Sequence, residues 1–97
     1  MLYTVNKSPF LHGNLESCLR FAPAGVPVLL YEDGVYAAAS GTRLEALIRE
    51  AAQHHVIYAL EADLQARGIS RLIEGVQVID YKGFVDLVEE HNVVPWL

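Results

Sequence analysis

Cys18 is the single cysteine of the chain and the one candidate for nucleophilic sulfur chemistry. A thiolate attacks electrophilic sulfur and can then carry it as a persulfide. If a helix begins near Asn14, Cys18 lies about one turn into it, where the positive end of the helix dipole lowers the pKa of a thiol. Cys18 also falls on an apolar helical stripe with Leu15 and Leu19, and free cysteines are among the most buried residues. The spacing leaves two interpretations open, a reactive thiol and a cysteine packed in the core.

A short acidic segment follows the second apolar run of the chain. Glu32, Asp33 and Gly34 come directly after Val26–Tyr31, at the point where a strand would end. Asp33 is a typical N-cap residue, so one interpretation is a turn that leads into a short helix through Ala37–Ala39. The alternative is a polar lining for a site or a surface on which a partner docks.

The apolar tail Asn92–Leu97 (N-V-V-P-W-L) is unusual because chain ends are commonly polar and poorly ordered. Trp96 and Leu97 are therefore expected to pack, either on their own domain or across a subunit interface, where tryptophan is a favoured anchor. For Tyr36 the same two interpretations are open, packing within its own domain and packing across a subunit interface. The candidate edge or interface residues are Glu32, Asp33, Tyr36, Trp96 and Leu97.

No pattern in the sequence indicates a metal or a cofactor. The glycines form neither a G-x-G-x-x-G fingerprint nor a P-loop. The histidines do not have metal-ligand spacing, and the adjacent pair among them points different ways. These histidines are His12, His54, His55 and His91. We therefore expect no bound cofactor and no metal.

The bulk composition indicates a small domain that associates with other proteins. The chain has 97 residues, of which 53% are hydrophobic, and a formal net charge of −5. A domain of this size buries only about 60–65% of its unfolded surface, so we expect the isolated chain to self-associate or to dissolve poorly. The acidic balance and the scattered Lys and Arg exclude non-specific nucleic-acid binding, so any link to RNA passes through another protein.

Two features concern the cellular compartment. A single cysteine cannot form an intrachain disulfide, which favours a reducing compartment. Residues 1–6 lack the basic region and apolar core of a signal peptide, and no run approaches the ~20 apolar residues of a transmembrane helix. We therefore expect a cytoplasmic protein without a membrane contact.

Short apolar runs alternate with helical patterns along the chain, and two of these runs are almost continuous, as in parallel strands buried on both faces. Helices are expected from about Asn14, Thr42, Glu61 and Asp80, with Asn14 and Asp80 as N-cap candidates. The alternation predicts one domain over residues 1–97, a small three-layer α/β fold with a mainly parallel sheet of four or five strands. A flavodoxin-like strand order is the simplest arrangement. The predicted strands are Leu2–Val5, Val26–Tyr31, Val56–Leu60 and Val76–Ile79.

Six ordered segments carry a resemblance to a known family. They are Y-T-V-N-K-S-P-F at 3–10, N-L-E-S-C-L-R at 14–20, L-L-Y-E-D-G-V-Y-A-A at 29–38, A-D-L-Q-A-R-G at 62–68, V-I-D-Y-K-G-F-V-D-L-V at 78–88 and the final W-L. Together they resemble the DsrH/TusB family over essentially the whole chain. The segment around Cys18 is similar to the DsrH branch, in which a cysteine is a family feature at this position.

The resemblance implies a fold shared with two sister families, DsrE/TusD and DsrF/TusC, and a heterohexamer with two copies of each subunit. Such complexes pass persulfide sulfur to a small carrier with a C-terminal cysteine arm, DsrC or TusE. In the Tus branch the sulfur becomes 2-thiouridine at the tRNA wobble position, and in the Dsr branch the relay serves sulfur oxidation. The main acceptor cysteine lies in the second half of the DsrE/TusD sister, and this chain has no cysteine after Cys18.

Three hypotheses follow from these observations. The first is an active relay subunit, at most a sulfurtransferase subunit within a hetero-oligomer, in which Cys18 carries persulfide sulfur. The second is a non-catalytic scaffold that completes the complex and helps to dock the carrier. The third is an unrelated α/β binding module or nucleotide enzyme, which the missing nucleotide motifs disfavour.

Overall fold

Short runs of leucine, isoleucine and valine form the strands, and glycine, proline or acidic residues stand in the connections between them. A computed structural model describes residues 1–96. These residues form five strands, four α-helices and one 3-10 helix. In chain order they are β1 Leu2–Val5, α1 Asn14–Phe21, β2 Val28–Leu30, the 3-10 helix Glu32–Ala38, α2 Glu45–Ala51, β3 Ile57–Leu60, α3 Glu61–Ala66, β4 Val76–Ile79, α4 Tyr81–Glu90 and β5 Val93–Trp96.

The predicted α/β class is confirmed, because all five strands pair in parallel in one sheet. Strand β2 begins at Val28, two residues later than predicted. Pro27 has no N–H to donate to the sheet, but its carbonyl oxygen accepts a hydrogen bond of 3.0 Å from the Tyr3 N–H. The apolar tail forms β5, which pairs with β1 at the opposite edge of the sheet from β4.

The strand order is β4-β3-β2-β1-β5, which differs from the flavodoxin order 2-1-3-4-5. The first three crossovers each move one strand further in the same direction, and right-handed crossovers then place their helices on one face. The connection through α4 returns in the opposite direction to β5 and therefore crosses the other face. The three layers are consequently unequal, with α4 alone covering the second face among the residues described.

The main core lies on the face that α1, α2, α3 and the 3-10 helix cover. The helices contribute residues such as Cys18, Val35, Ile48 and Leu64 to it. The strands contribute alternate residues, namely Tyr3, Val5, Val28, Leu30, Ile57 and Ala59. Their intervening neighbours point to the face that α4 covers, because successive strand residues alternate between faces.

The beginnings of the helices agree only partly with the sequence prediction. Asp80 caps α4 as predicted, since its Oδ1 accepts a hydrogen bond of 2.8 Å from the Gly83 N–H. The prediction that Asn14 caps α1 is wrong, because Gly13 occupies the N-cap position. The Asn14 side-chain amide instead donates to the Trp96 carbonyl oxygen at 3.3 Å and so ties α1 to β5.

Gly34 allows the 3-10 helix to pack against the end of β1. A Cβ at this position would collide with the carbonyl oxygen of Val5 and lie 3.4 Å from the Cα of Asn6. Because these neighbours are backbone atoms of a buried strand, they cannot move aside easily. Only glycine therefore fits here without displacing the segment that carries Glu32, Asp33 and Tyr36.

We expect Gly34→Ala to destabilise the fold by at least about 2 kcal/mol, since the extra methyl group overpacks a backbone contact. The control is Gly13→Ala, whose added Cβ meets no atom within 4 Å. That exchange at an N-cap should cost no more than about 1 kcal/mol. Denaturant unfolding of both variants measures the difference, and equal losses would contradict the close approach of Gly34 to β1.

Candidate functional site

The carboxyl ends of the parallel strands meet along one edge of the sheet, and acidic residues follow three of them. Strand β2 leads into the 3-10 helix at Glu32, β3 into α3 at Glu61, and β4 into α4 through Asp80. Sites in open α/β sheets gather beyond this edge. The acidic residues singled out in the sequence therefore lie where a functional site is expected.

Arg67, the residue that follows α3, joins the side chains of Asp33 and Asp63 at this edge. Its Nε and Nη2 donate to Asp33 Oδ1 at 2.9 and 2.8 Å. Its Nη1 donates to the Asp63 carbonyl oxygen at 3.3 Å. The hydrogen bond that Arg67 donates to Asp33 is the main cause that raises the pKa of Arg67. Asp33 therefore pairs with an arginine and does not cap the short helix as one interpretation predicted; the cap position belongs to Tyr31.

Asp63 also holds the backbone at the start of the 3-10 helix. Glu32 has a φ of +47°, a left-handed conformation that is uncommon for residues other than glycine. The Glu32 N–H donates to Asp63 Oδ2 at 2.7 Å. A charge-assisted hydrogen bond of this kind offsets part of the strain of such a turn. The turn leaves the Glu32 side chain exposed at the edge.

Tyr36 completes a group of five residues that we call the edge cluster. Its side chain is 36% exposed, and its ring centroid lies 6.0 Å from the guanidinium carbon of Arg67. The edge cluster consists of Glu32, Asp33, Tyr36, Asp63 and Arg67. It presents carboxylates, a phenol and a guanidinium, which suit polar contacts with another molecule and not covalent sulfur transfer.

Arg67 was not among the residues that the sequence analysis singled out. The i, i+4 spacing of Asp63 and Arg67 on one helix is a signal that could have found half of its contacts. The contact with Asp33 spans 34 positions of the chain and depends on the tertiary fold.

Cys18 does not belong to the edge cluster. Its side chain is fully buried and contacts the main core. Burial raises the pKa of the Cys18 thiol to about 11. At neutral pH, about four units below this value, roughly one thiol in ten thousand is ionised. Desolvation thus raises the pKa of the Cys18 thiol by more than the helix dipole at the start of α1 lowers it.

Trp96 packs on its own domain. Its ring stacks on that of Tyr3, with centroids 5.6 Å apart, and on that of Phe21 at 6.3 Å. The side chain remains partly exposed, so its role as an interface residue stays a prediction. Leu97, the other predicted tail residue, lies outside the residues that the structure describes.

Two neighbouring cavities of about 240 and 510 Å³ lie between α1 and α2 and share Leu19 and Leu47 in their walls. His55 lines the smaller one, and its Nδ1 lies 2.8 Å from the carbonyl oxygen of Val26. A carbonyl oxygen only accepts, so Nδ1 carries a proton.

In residues 1–96, no three His, Cys, Asp or Glu side chains are close enough to share a metal ion. No helix in that range is long and apolar enough to span a membrane.

Comparison with known proteins identifies the family. A family model described as DsrH like protein matches residues 7–94. The TusB protein of Serratia proteamaculans is 40% identical over 94 residues, which cover 95% of each chain. The TusB protein of Escherichia coli strain O1:K1 is 39% identical over 93 residues, again 95% of each chain. The chain belongs to the DsrH-like family.

Solved structures share the fold of this DsrH-like chain. The ychN protein of Escherichia coli aligns with a TM-score of 0.83 and 19% identity over 97% of both chains. Protein Tm0979 of Thermotoga maritima aligns with a TM-score of 0.62 and 27% identity over 94% of both chains. These similarities support the α/β architecture.

The buried thiol of this DsrH-like protein makes its stability depend on pH in a specific window. The unfolded thiol ionises near pH 9.0 and the folded one near pH 11, so the folded state holds more protons between these values. The stabilisation is present below pH 9.0 and should be lost as the pH rises to 11. Denaturant unfolding of the wild type and of Cys18→Ala across this window measures it. A constant difference between the two curves would show that the thiol titrates normally in the folded protein.

The edge cluster makes a prediction about Asp63. We expect Asp63→Ala to lower the free energy of unfolding by about 1–3 kcal/mol, because the Glu32 N–H loses its charged acceptor and Arg67 loses one of its two neighbouring carboxylates. Asp63→Asn keeps an oxygen that accepts from Glu32 and should cost less. Thermal or denaturant unfolding ranks the two variants, and equal effects would show that the acceptor for Glu32 is unimportant.

Proposed function

We propose that this DsrH-like chain is a subunit of a cytoplasmic sulfur-relay complex that serves 2-thiolation of tRNA, and that it acts there as a scaffold. It completes the complex and helps to dock the sulfur carrier, while a sister subunit supplies the reactive cysteine. The complete burial of its single cysteine is the observation that carries the scaffold role.

The chemistry of sulfur transfer supports this choice. A persulfide passes between proteins when a thiolate attacks the sulfur that the other protein carries, so both sulfurs must meet. Cys18 has no exposed surface, and burial raises its pKa to about 11. A carrier would reach this sulfur only after α1 had moved away from the sheet. The alternative, an active relay subunit with Cys18 as a transient persulfide carrier, requires that opening.

Similarity to TusB proteins supports tRNA thiolation as the end use. The cysteine at position 18 resembles the DsrH branch instead, for which sulfur oxidation is the end use. In either branch the proposed partners are DsrE/TusD-like and DsrF/TusC-like sister subunits and a DsrC/TusE-like carrier. The net charge of −5 supports an indirect link to tRNA, because an acidic surface repels the phosphate backbone.

The edge cluster is suited to polar contacts with the carrier. The Glu32 and Asp33 side chains are exposed, and the Tyr36 side chain is 36% exposed. Their positions are set by Gly34, by the hydrogen bond that Asp63 accepts from the Glu32 N–H and by those that Arg67 donates to Asp33. A surface held this firmly loses little conformational entropy on binding, which favours specific contacts.

The test is a reconstituted relay with purified sister subunits, carrier, a persulfide donor, tRNA and the enzyme that thiolates it, in which 2-thiouridine formation is measured. Omission of this chain should abolish assembly and thiolation. Cys18→Ala should restore both to within about twofold of the wild type, because its side chain only packs. The alanine variant is preferable to serine, since it places no hydroxyl group in the core.

Intact mass after exposure to a persulfide donor provides an independent readout. The wild-type subunit in the complex should gain no sulfur on Cys18. A gain that reductant reverses and that Cys18→Ala lacks, together with a tenfold or larger loss of thiolation in an assembled complex, would establish the active relay role instead.

A further inference from the structure

Helix α4 forms a thin and incomplete layer over its face of the sheet. It is the only helix on that face among residues 1–96, and none of its residues is fully buried. Its apolar residues Phe84, Val85, Leu87 and Val88 are each only partly covered. Tyr81, at its start, is 70% exposed although its ring contacts Phe84 at a centroid distance of 5.8 Å.

Strand β4, which leads into α4, is an unprotected edge of the sheet. Its sequence V-Q-V-I contains no charge and no proline, and Val78 is 42% exposed. The opposite edge strand, β5, contains Pro95, which cannot donate a hydrogen bond to another strand. Edge strands of monomeric proteins usually carry such protection, so the bare edge of β4 indicates a surface that is covered in the assembled protein.

The segment that contains β4 and α4 has a strong excess of negative charge. Residues 74–90 contain five acidic residues and one lysine, a net charge of −4 out of −5 for the whole chain. In residues 1–96, none of the five acidic side chains forms a salt bridge with a basic one. All five are exposed, and they are Glu74, Asp80, Asp86, Glu89 and Glu90.

We propose that the β4–α4 surface, residues 74–90, docks a protein subunit of different sequence whose facing surface is apolar at its centre and basic at its rim. The apolar centre would cover Val78, Tyr81 and the half-exposed residues of α4, and the basic rim would neutralise the five acids. A second copy of this chain in a symmetric dimer is a poor occupant, because it would bring together two surfaces that each have a net charge of −4. The inference rests on the proposed function, because it assigns to this surface a partner subunit of that complex.

The experiment measures association of the full chain with purified DsrE-like and DsrF-like subunits at low and high salt. Asp86→Lys combined with Glu89→Lys should weaken association at least tenfold and reduce its dependence on salt. The matched control is Glu16→Lys combined with Glu50→Lys, which changes the net charge equally through exposed acids of α1 and α2. The control should stay within about threefold of the wild type, because surface charges away from the contact act mainly at long range.

A second pair of variants tests the apolar centre. Tyr81→Ser should weaken association about tenfold, as expected for an aromatic side chain that becomes buried in an interface. Leu11→Ser removes an even more exposed side chain, 79% exposed, from the loop after β1 and should have little effect. Thermal unfolding of each isolated variant verifies that the fold is intact.

The outcomes separate the inference from the proposed function. Failure of the wild-type chain to associate with the sister subunits would overturn both. Association that the β4–α4 variants leave unchanged would overturn the inference alone, because the partner would then dock elsewhere. Sedimentation of the isolated chain as a dimer that Tyr81→Ser dissociates would also overturn it, since a second copy would then be the occupant.

Discussion

The right-handed connection between parallel strands is the constraint on which the rest of this structure depends. Three successive crossovers move in one direction along the sheet, so their helices crowd onto a single face. That face becomes a closed core and takes up Cys18 together with the apolar residues of α1 and α2. Within residues 1–96, the opposite face receives only α4, on the way back to β5. The asymmetry between the two layers therefore originates in the order of the strands.

Burial on the crowded face decides the chemistry of the single cysteine. A helix terminus stabilises a thiolate by a modest electrostatic contribution, whereas transfer of a charge from water into an apolar core is far more unfavourable. The second effect prevails at Cys18 because the side chain is buried in the main core and its thiol has no exposed surface. This packing supports the proposed scaffold role over direct exchange of sulfur at Cys18.

The polar edge of the sheet shows how a short helix is positioned by a few contacts. The absence of a Cβ at Gly34 lets the 3-10 helix touch the end of β1, and Asp63 compensates the strained backbone of Glu32. Arg67, which follows α3, then binds this helix through Asp33. The ion pair is partly exposed and contributes modest stability by itself, but it orients the carboxylate and the Tyr36 ring together.

The sequence by itself determined the α/β class, the positions of most strands, the cap at Asp80 and the family, since these depend on local periodicity, turn chemistry and ordered segments. It also determined that Cys18 shares a helical stripe with Leu15 and Leu19, yet not which way that stripe faces. The tertiary structure alone decided the strand order, the packing of the tail as β5 beside β1, the pairing of Asp33 with Arg67 and the burial of the thiol. Each of these arises between residues distant in the chain, where a pattern of neighbours contains no information about which surfaces meet.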